Sequence, residues 1–259
     1  MGSVCTGLAQ PHTLLCEGER TEMTDARTTL RERYAAAAGT ACDPMIGEHG
    51  RCGDSYYDPA ELDGLPAAVT NASLGCANPL VVADLKEGEV VLDLGSGAGL
   101  DVLLSARRVG LSGKAYGIDM TPEMLELART NQREAGVSNA EFLEGFVEDV
   151  PLDDGTVDVV LSNCVVNLSP EKERVFAEMF RVLRAGGRIA LADLVADDEV
   201  EPAERARLEA KSPCLATAAT RHAYKRGLAE VGFVEISLET TREVAPRFSS
   251  SIVRAVKPR

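Results

Sequence analysis

Through the middle of the chain, short apolar runs alternate with longer stretches whose apolar positions recur every three or four residues. The runs Glu89–Leu94, Lys114–Asp119, Ala140–Glu144, Val157–Asn163 and Arg188–Val195 read as strands. Those at Val90-Val91-Leu92 and Val159-Val160-Leu161 are aliphatic throughout, as in strands buried on both faces. Between the runs, helical periodicity covers Leu100–Val109, Thr121–Ala135 and Ser169–Arg184. Thr121-Pro122 supplies an N-cap and a proline at the first helical position, and Gly186-Gly187 supplies a stop. Strand and helix taking turns predicts an α/β fold, with a mostly parallel sheet covered by helices on both faces.

The flanks follow other patterns. Residues 1–22 show no period and read as a loose tail, and Met23, an alternative start, opens the regular part. Asp25–Ala38 reads as a helix with Leu30, Tyr34 and Ala37 on one face, and Gly39–Pro59 as a loop carrying Cys42 and Cys52. Residues 23–72 would thus form a cap and 73–196 the core, which begins with a helix ending near Lys86. In 197–259 the pattern predicts a charged helix over Asp197–Lys211 and a loop holding Cys214. A helix over Thr220–Val231 and antiparallel strands Val234–Thr240 and Ser250–Val256 complete the chain.

Composition narrows the function. With 259 residues, 45% apolar and 26% charged, the chain can build one sizeable core. Its 41 acidic against 27 basic residues, a net charge of −14, argue against nucleic acid and anionic membrane surfaces as partners. Neither a bilayer-spanning apolar stretch nor a signal peptide is legible. Seven cysteines, an odd number without C-x-x-C spacing, fit neither a fully paired secreted scaffold nor a zinc ribbon. A reduced, cytoplasmic protein is expected, its thiols buried or used chemically. Cys5 and Cys16 read as incidental, and His12, His49 and His222 form no cluster.

The chemistry begins at Asp93-Leu94-Gly95-Ser96-Gly97-Ala98-Gly99, placed between the first core strand and its helix. A tight glycine turn into a helix N-terminus offers free backbone N–H groups to a nucleotide-like ligand. Leu100 stands where a dinucleotide-binding fingerprint would have its third glycine. Asp119, at the end of the second strand, can accept two ribose hydroxyls, a device common to several nucleotide sites. Cys164 follows the fourth strand, so a thiol falls at the same carboxyl edge of the sheet.

The acid-x-G-x-G-x-G pattern resembles motif I of the class I S-adenosylmethionine-dependent methyltransferases. That resemblance implies a Rossmann-like sheet of seven strands, mostly parallel, with the last one antiparallel. It also implies a donor site in which Gly95, Ser96, Gly97 and Gly99 approach the methionine part and Asp93 the amino group. Met120 would lie against the adenine, Val147 and Glu148 would flank it, and Asn163 would complete the set. Core packing accounts equally well for Met120 and Val147, and a solvated loop acid for Glu148.

The stretch Ser162-Asn163-Cys164-Val165-Val166-Asn167-Leu168-Ser169-Pro170, with Ser73-Leu74-Gly75-Cys76 upstream and Cys214 downstream, resembles the arsenite methyltransferases from about Tyr56 to Val256. By that resemblance Cys164 and Cys214 hold trivalent arsenic. Cys76 is a relay or third ligand, and Cys52, or else Cys42, is a fourth functional thiol in a loop that closes over the substrate. The substrate would be arsenite or its thiol adducts, with glutathione or thioredoxin as reductant and no metal cofactor. Thiolates suit a soft thiophilic centre, whose lone pair is itself the nucleophile, so the protein's task is positioning. The run Lys211–Thr217 departs from the family by lacking glycines around the thiol. Two rival functions remain. One is a C-, N- or O-methyltransferase with structural cysteines, the other a non-catalytic metalloid-binding or sensing protein.

Overall fold

The computed structural model describes residues 27–36, 38, 56–73, 75–209 and 213–259. Cys42, Cys52 and the residues 1–22 tail therefore lie outside the described residues. Helix α1 spans residues 27–36. Three short helices follow, α2 Pro59–Leu62, α3 Ala67–Asn71 and α4 Leu80–Ala83, the last ending well before Lys86. The core then runs β1 Val90–Leu94, α5 Leu100–Val109, β2 Lys114–Asp119, α6 Pro122–Glu134, β3 Ala140–Glu144, β4 Val157–Asn163, α7 Lys172–Val182 and β5 Leu183–Ala196. The last part holds α8 Pro202–Glu209, α9 Pro213–Ala216, α10 Arg221–Glu230, β6 Val234–Ala245 and β7 Phe248–Val256.

The strands form one seven-stranded sheet in the order β3-β2-β1-β4-β5-β7-β6. β1 to β5 are parallel, and β7 runs antiparallel to both β5 and β6, as the pattern predicts. One apolar layer packs α7 and α10 on one face through Phe176, Met179, Tyr224 and Leu228. The other packs α4, α5 and α6 through Leu80, Leu103 and Leu125. Burial of the wide aliphatic strands between these layers is the main stabilising contribution.

Several expected boundaries move. The helix predicted to reach Arg184 stops at Val182, because Leu183 is already extended and pairs with Val157. Gly186-Gly187 lies inside β5, at the register shift in its pairing with β4, rather than ending a helix, and Gly186 N donates to Lys257 O. The final hairpin is longer than predicted because β7 pairs with β5 over Arg188–Ala196. Thr121 occupies an N-cap position but its hydroxyl bonds nothing among the described residues. The Asp119 carboxylate takes the Thr121 N–H instead, at 2.9 Å.

Candidate active site

β1 and β4 are neighbours, yet the connections leaving them run in opposite directions across the sheet. A crevice therefore opens at their carboxyl ends. It is a cavity of about 1150 Å³, lined by the glycine loop, Asp93, Asp119, Cys76, Cys164 and Cys214 among others. Gly95 N and Ser96 N both donate to Ile118 O at 2.9 Å, and Gly97 N donates to the Asp119 carboxylate at 2.9 Å. Gly95, Gly97 and Gly99 all have positive φ. The three glycines serve different ends. A side chain at Gly95 would run into Val165 and one at Gly99 into Phe142, while around Gly97 no described atom lies within 4 Å. Gly99 does not line the cavity. Its freedom is spent on packing the helix to the sheet.

Asp93 is 3% exposed, and its Oδ1 has no partner among the described residues; Ser96 Oγ is in the same condition. Burial, then the charges of Asp101 and Asp119, push the Asp93 carboxyl well above its ordinary range. Burial also raises Asp101 and Asp119, against the hydrogen bonds that each accepts. Three carboxyls crowded into a low-dielectric wall favour a cationic ligand. Buried polar atoms without partners beside an open glycine face mark the place where that ligand completes the hydrogen bonding. A sulfonium donor bearing an amino group fits both features.

Met120, Val147 and Glu148 also line the cavity. Glu148 is not a solvated acid. It is buried, accepts from Ser169 Oγ, and lies 3.5 Å from the Arg27 guanidinium of α1. Asn163 is a bracket. Its Oδ1 accepts Cys76 N at 3.0 Å, its Nδ2 donates to Ala77 O at 2.8 Å, and it approaches Tyr57 and Asp101. Gly75 is required here, since a Cβ would overlap the Asn163 amide. The Tyr57–Asp101 bond at 2.6 Å is a site feature that sequence reasoning missed. Its partners lie 44 residues apart and carry no shared motif.

The three described cysteines are in two states. Cys76 and Cys164 are joined in a disulfide, Cα–Cα 6.2 Å, so in this state neither is a free thiol. The Asn163 bracket brings Cys76 to the end of β4. Cys164 itself adopts φ 62°, a left-handed conformation costly for a non-glycine residue, pinned by Cys164 N donating to Ala192 O at 2.8 Å. Cys214 is the free cysteine among the described residues, half-buried on the short helix α9 rather than in a loop. Burial, then the charge of Asp193, push its thiol up to about 12. It packs against the same apolar cluster as Cys76 and Cys164. Among the described residues no three His, Cys, Asp or Glu side chains gather as a metal centre. No described helix is long and apolar enough to cross a membrane.

Residues 85–232 match the family model described as a methyltransferase domain. With the sheet order and the acid-flanked glycine loop, this places the chain among the class I methyltransferases. A crystal structure of an arsenic(III) S-adenosylmethionine methyltransferase from Chlamydomonas reinhardtii superposes with a TM-score of 0.67 at 32% identity, covering 84% of this chain and 75% of that one. The chain is 38% identical over 243 residues to the arsenite methyltransferase of Halobacterium salinarum, and 40% identical over 157 residues to that of Aquipseudomonas alcaligenes. These alignments cover 88% and 56% of this chain, but 60% and 45% of the respective relatives. Within the class I methyltransferases, the chain belongs to the arsenite methyltransferase family.

Proposed function

We propose that this chain methylates trivalent arsenic held by its own cysteine sulfurs, with S-adenosylmethionine as methyl donor. One observation carries the reading. A single cavity holds the cation-seeking Asp93 and glycine loop together with all three described cysteines, Cys76, Cys164 and Cys214. S-adenosylmethionine supplies an electrophilic methyl group on a sulfonium when bound. Asp93 would hold its amino group, Asp119 its ribose and the open face at Gly97 its methionine chain, with Met120 and Val147 against the adenine.

Arsenic enters once a dithiol or glutathione has delivered two electrons and two protons to open the Cys76–Cys164 disulfide. Cys164 and Cys214 then displace hydroxyl or thiol ligands from arsenite or its thiol adduct, each thiol proton leaving with the group displaced. Cys76 is the third ligand or the relay. The left-handed turn at Cys164 fixes the direction of its sulfur, and the apolar wall of Leu194, Ala218 and Ile252 limits water around it. Holding the arsenic lone pair in line with the methyl group is worth several kcal/mol, and no general base is required.

Release of S-adenosylhomocysteine on adding arsenite to the reduced protein tests the reading. Cys164→Ser and Cys214→Ser should each abolish the release while S-adenosylmethionine still binds. Turnover at the wild-type rate in either variant would rule out the thiolate site.

A further inference from the structure

The two cysteines assigned to arsenic sit on segments far apart in sequence, and a buried polar cluster joins those segments. Asn167 lies in the 3₁₀ turn Val166–Leu168, three residues beyond Cys164, and is fully buried. Its Nδ2 donates to Asp193 Oδ1 at 2.7 Å and to Leu194 O at 2.6 Å. Its Oδ1 accepts Ala219 N at 2.9 Å, so its amide is engaged at both ends. Ala219 lies just beyond the helix that carries Cys214, and its carbonyl accepts Ala196 N at 3.0 Å. Asp193 is 1% exposed and is held in turn by the Tyr224 hydroxyl at 2.6 Å and by Leu194 N at 2.8 Å. From the other side, Arg205 donates to Ala216 O and Ala218 O at 3.2 and 2.7 Å. The cluster is built from directional hydrogen bonds in a dry interior, where a lost partner costs most.

We propose that Asn167 is a positioning residue of the thiol site: oriented by Asp193 and Tyr224, it clamps the Cys214 segment to the turn carrying Cys164 and so sets the spacing of the two sulfurs. The proposal rests on the arsenic reading for its purpose but not for its geometry. Neither Asn167 nor Tyr224 lines the cavity, so neither touches donor or substrate.

The test uses Asn167→Ala in the full chain, reduced, with S-adenosylmethionine binding measured first. Dibromobimane, which bridges only thiols a few ångströms apart, reports the sulfur spacing without arsenic, and peptide mapping identifies the Cys164–Cys214 product. The bridged product should form in the wild type and about tenfold more slowly in Asn167→Ala, the loss expected for one or two buried hydrogen bonds. KM for arsenite should rise by a similar factor, while KM for S-adenosylmethionine stays within about twofold. If Asn167→Ala fails to bind S-adenosylmethionine, Tyr224→Phe keeps the ring and removes one bond, and a fall of about threefold is expected. Bridging at an unchanged rate in the folded variant, or no bridging in the wild type, overturns the proposal. A clamp effect on bridging in a protein that never methylates arsenite would uphold the spacing role and reject the arsenic reading instead.

Discussion

At the scale of single residues, the glycine loop shows how one motif divides its work. Gly95 and Gly99 make room for Val165 and Phe142, whereas the missing Cβ of Gly97 borders space that no described protein atom fills. Gly97→Ala should therefore fold, at a backbone cost of roughly 1–2 kcal/mol for a left-handed alanine. The added methyl would crowd the donor, and overpacking of about 1–3 kcal/mol corresponds to a roughly ten- to hundredfold loss of S-adenosylmethionine affinity. Calorimetric titration beside a thermal melt separates the two effects, and unchanged affinity would place the donor elsewhere. The loop, Asp93 and Asp119 were legible in sequence because a strand, a glycine turn and an acid are local signals. Asn163 was legible only as a member of the site. Its work as a bracket for Cys76 depends on a contact across 87 residues, as the Tyr57–Asp101 bond depends on one across 44. No periodicity encodes such pairs.

At the scale of elements, the parallel core could be read from apolar runs, while its connections to the cap could not. β5 begins earlier than its apolar stretch suggests because Leu183 already pairs with Val157 of β4, and the register then shifts before Arg188 meets Val159. Cys214 gained a turn of helix that its Lys211-Ser212-Pro213 approach did not advertise. Helix α1 was expected from its periodicity, but not the way in which it docks. Arg27 reaches Glu171 at 2.6 Å and Glu148 at 3.5 Å, and stacks 5.6 Å over the Phe146 ring. These contacts tie the helix to the loop after β3, the same loop that carries Val147 toward the proposed adenine site. Pairs of this partly exposed kind contribute about 1 kcal/mol or less each, so the docking is weak and adjustable. Arg27→Ala should raise KM for S-adenosylmethionine about three- to tenfold and leave kcat within about twofold. Steady-state kinetics with arsenite saturating measures this. An unchanged KM would mean that α1 covers the site without supporting it.

Across the whole molecule, the Cys76–Cys164 bond joins the segment before β1 to the turn after β4, an 88-residue separation. Noncovalent links duplicate it. Asn163 holds Cys76 N and Ala77 O, and Ser250 Oγ donates to Cys76 O at 3.0 Å. Opening the bond should thus leave the site assembled, although loop-closure entropy predicts a loss of about 4–5 kcal/mol in unfolding free energy. The same bond enters the electron balance of the proposed reaction. When the arsenic lone pair forms an As–C bond, arsenic passes from the trivalent to the pentavalent state. Its return to the trivalent state takes two electrons, which two thiolates supply by closing one disulfide. A prereduced chain given arsenite and S-adenosylmethionine, but no external thiol, should release about one S-adenosylhomocysteine per chain and then stop with Cys76 and Cys164 paired. Adding a dithiol should restart it. Rapid-quench product counting with disulfide mapping checks both statements. Continued turnover without reductant would mean that arsenic is returned to the trivalent state without these sulfurs, leaving the disulfide a purely structural tie between the segment before β1 and the turn after β4.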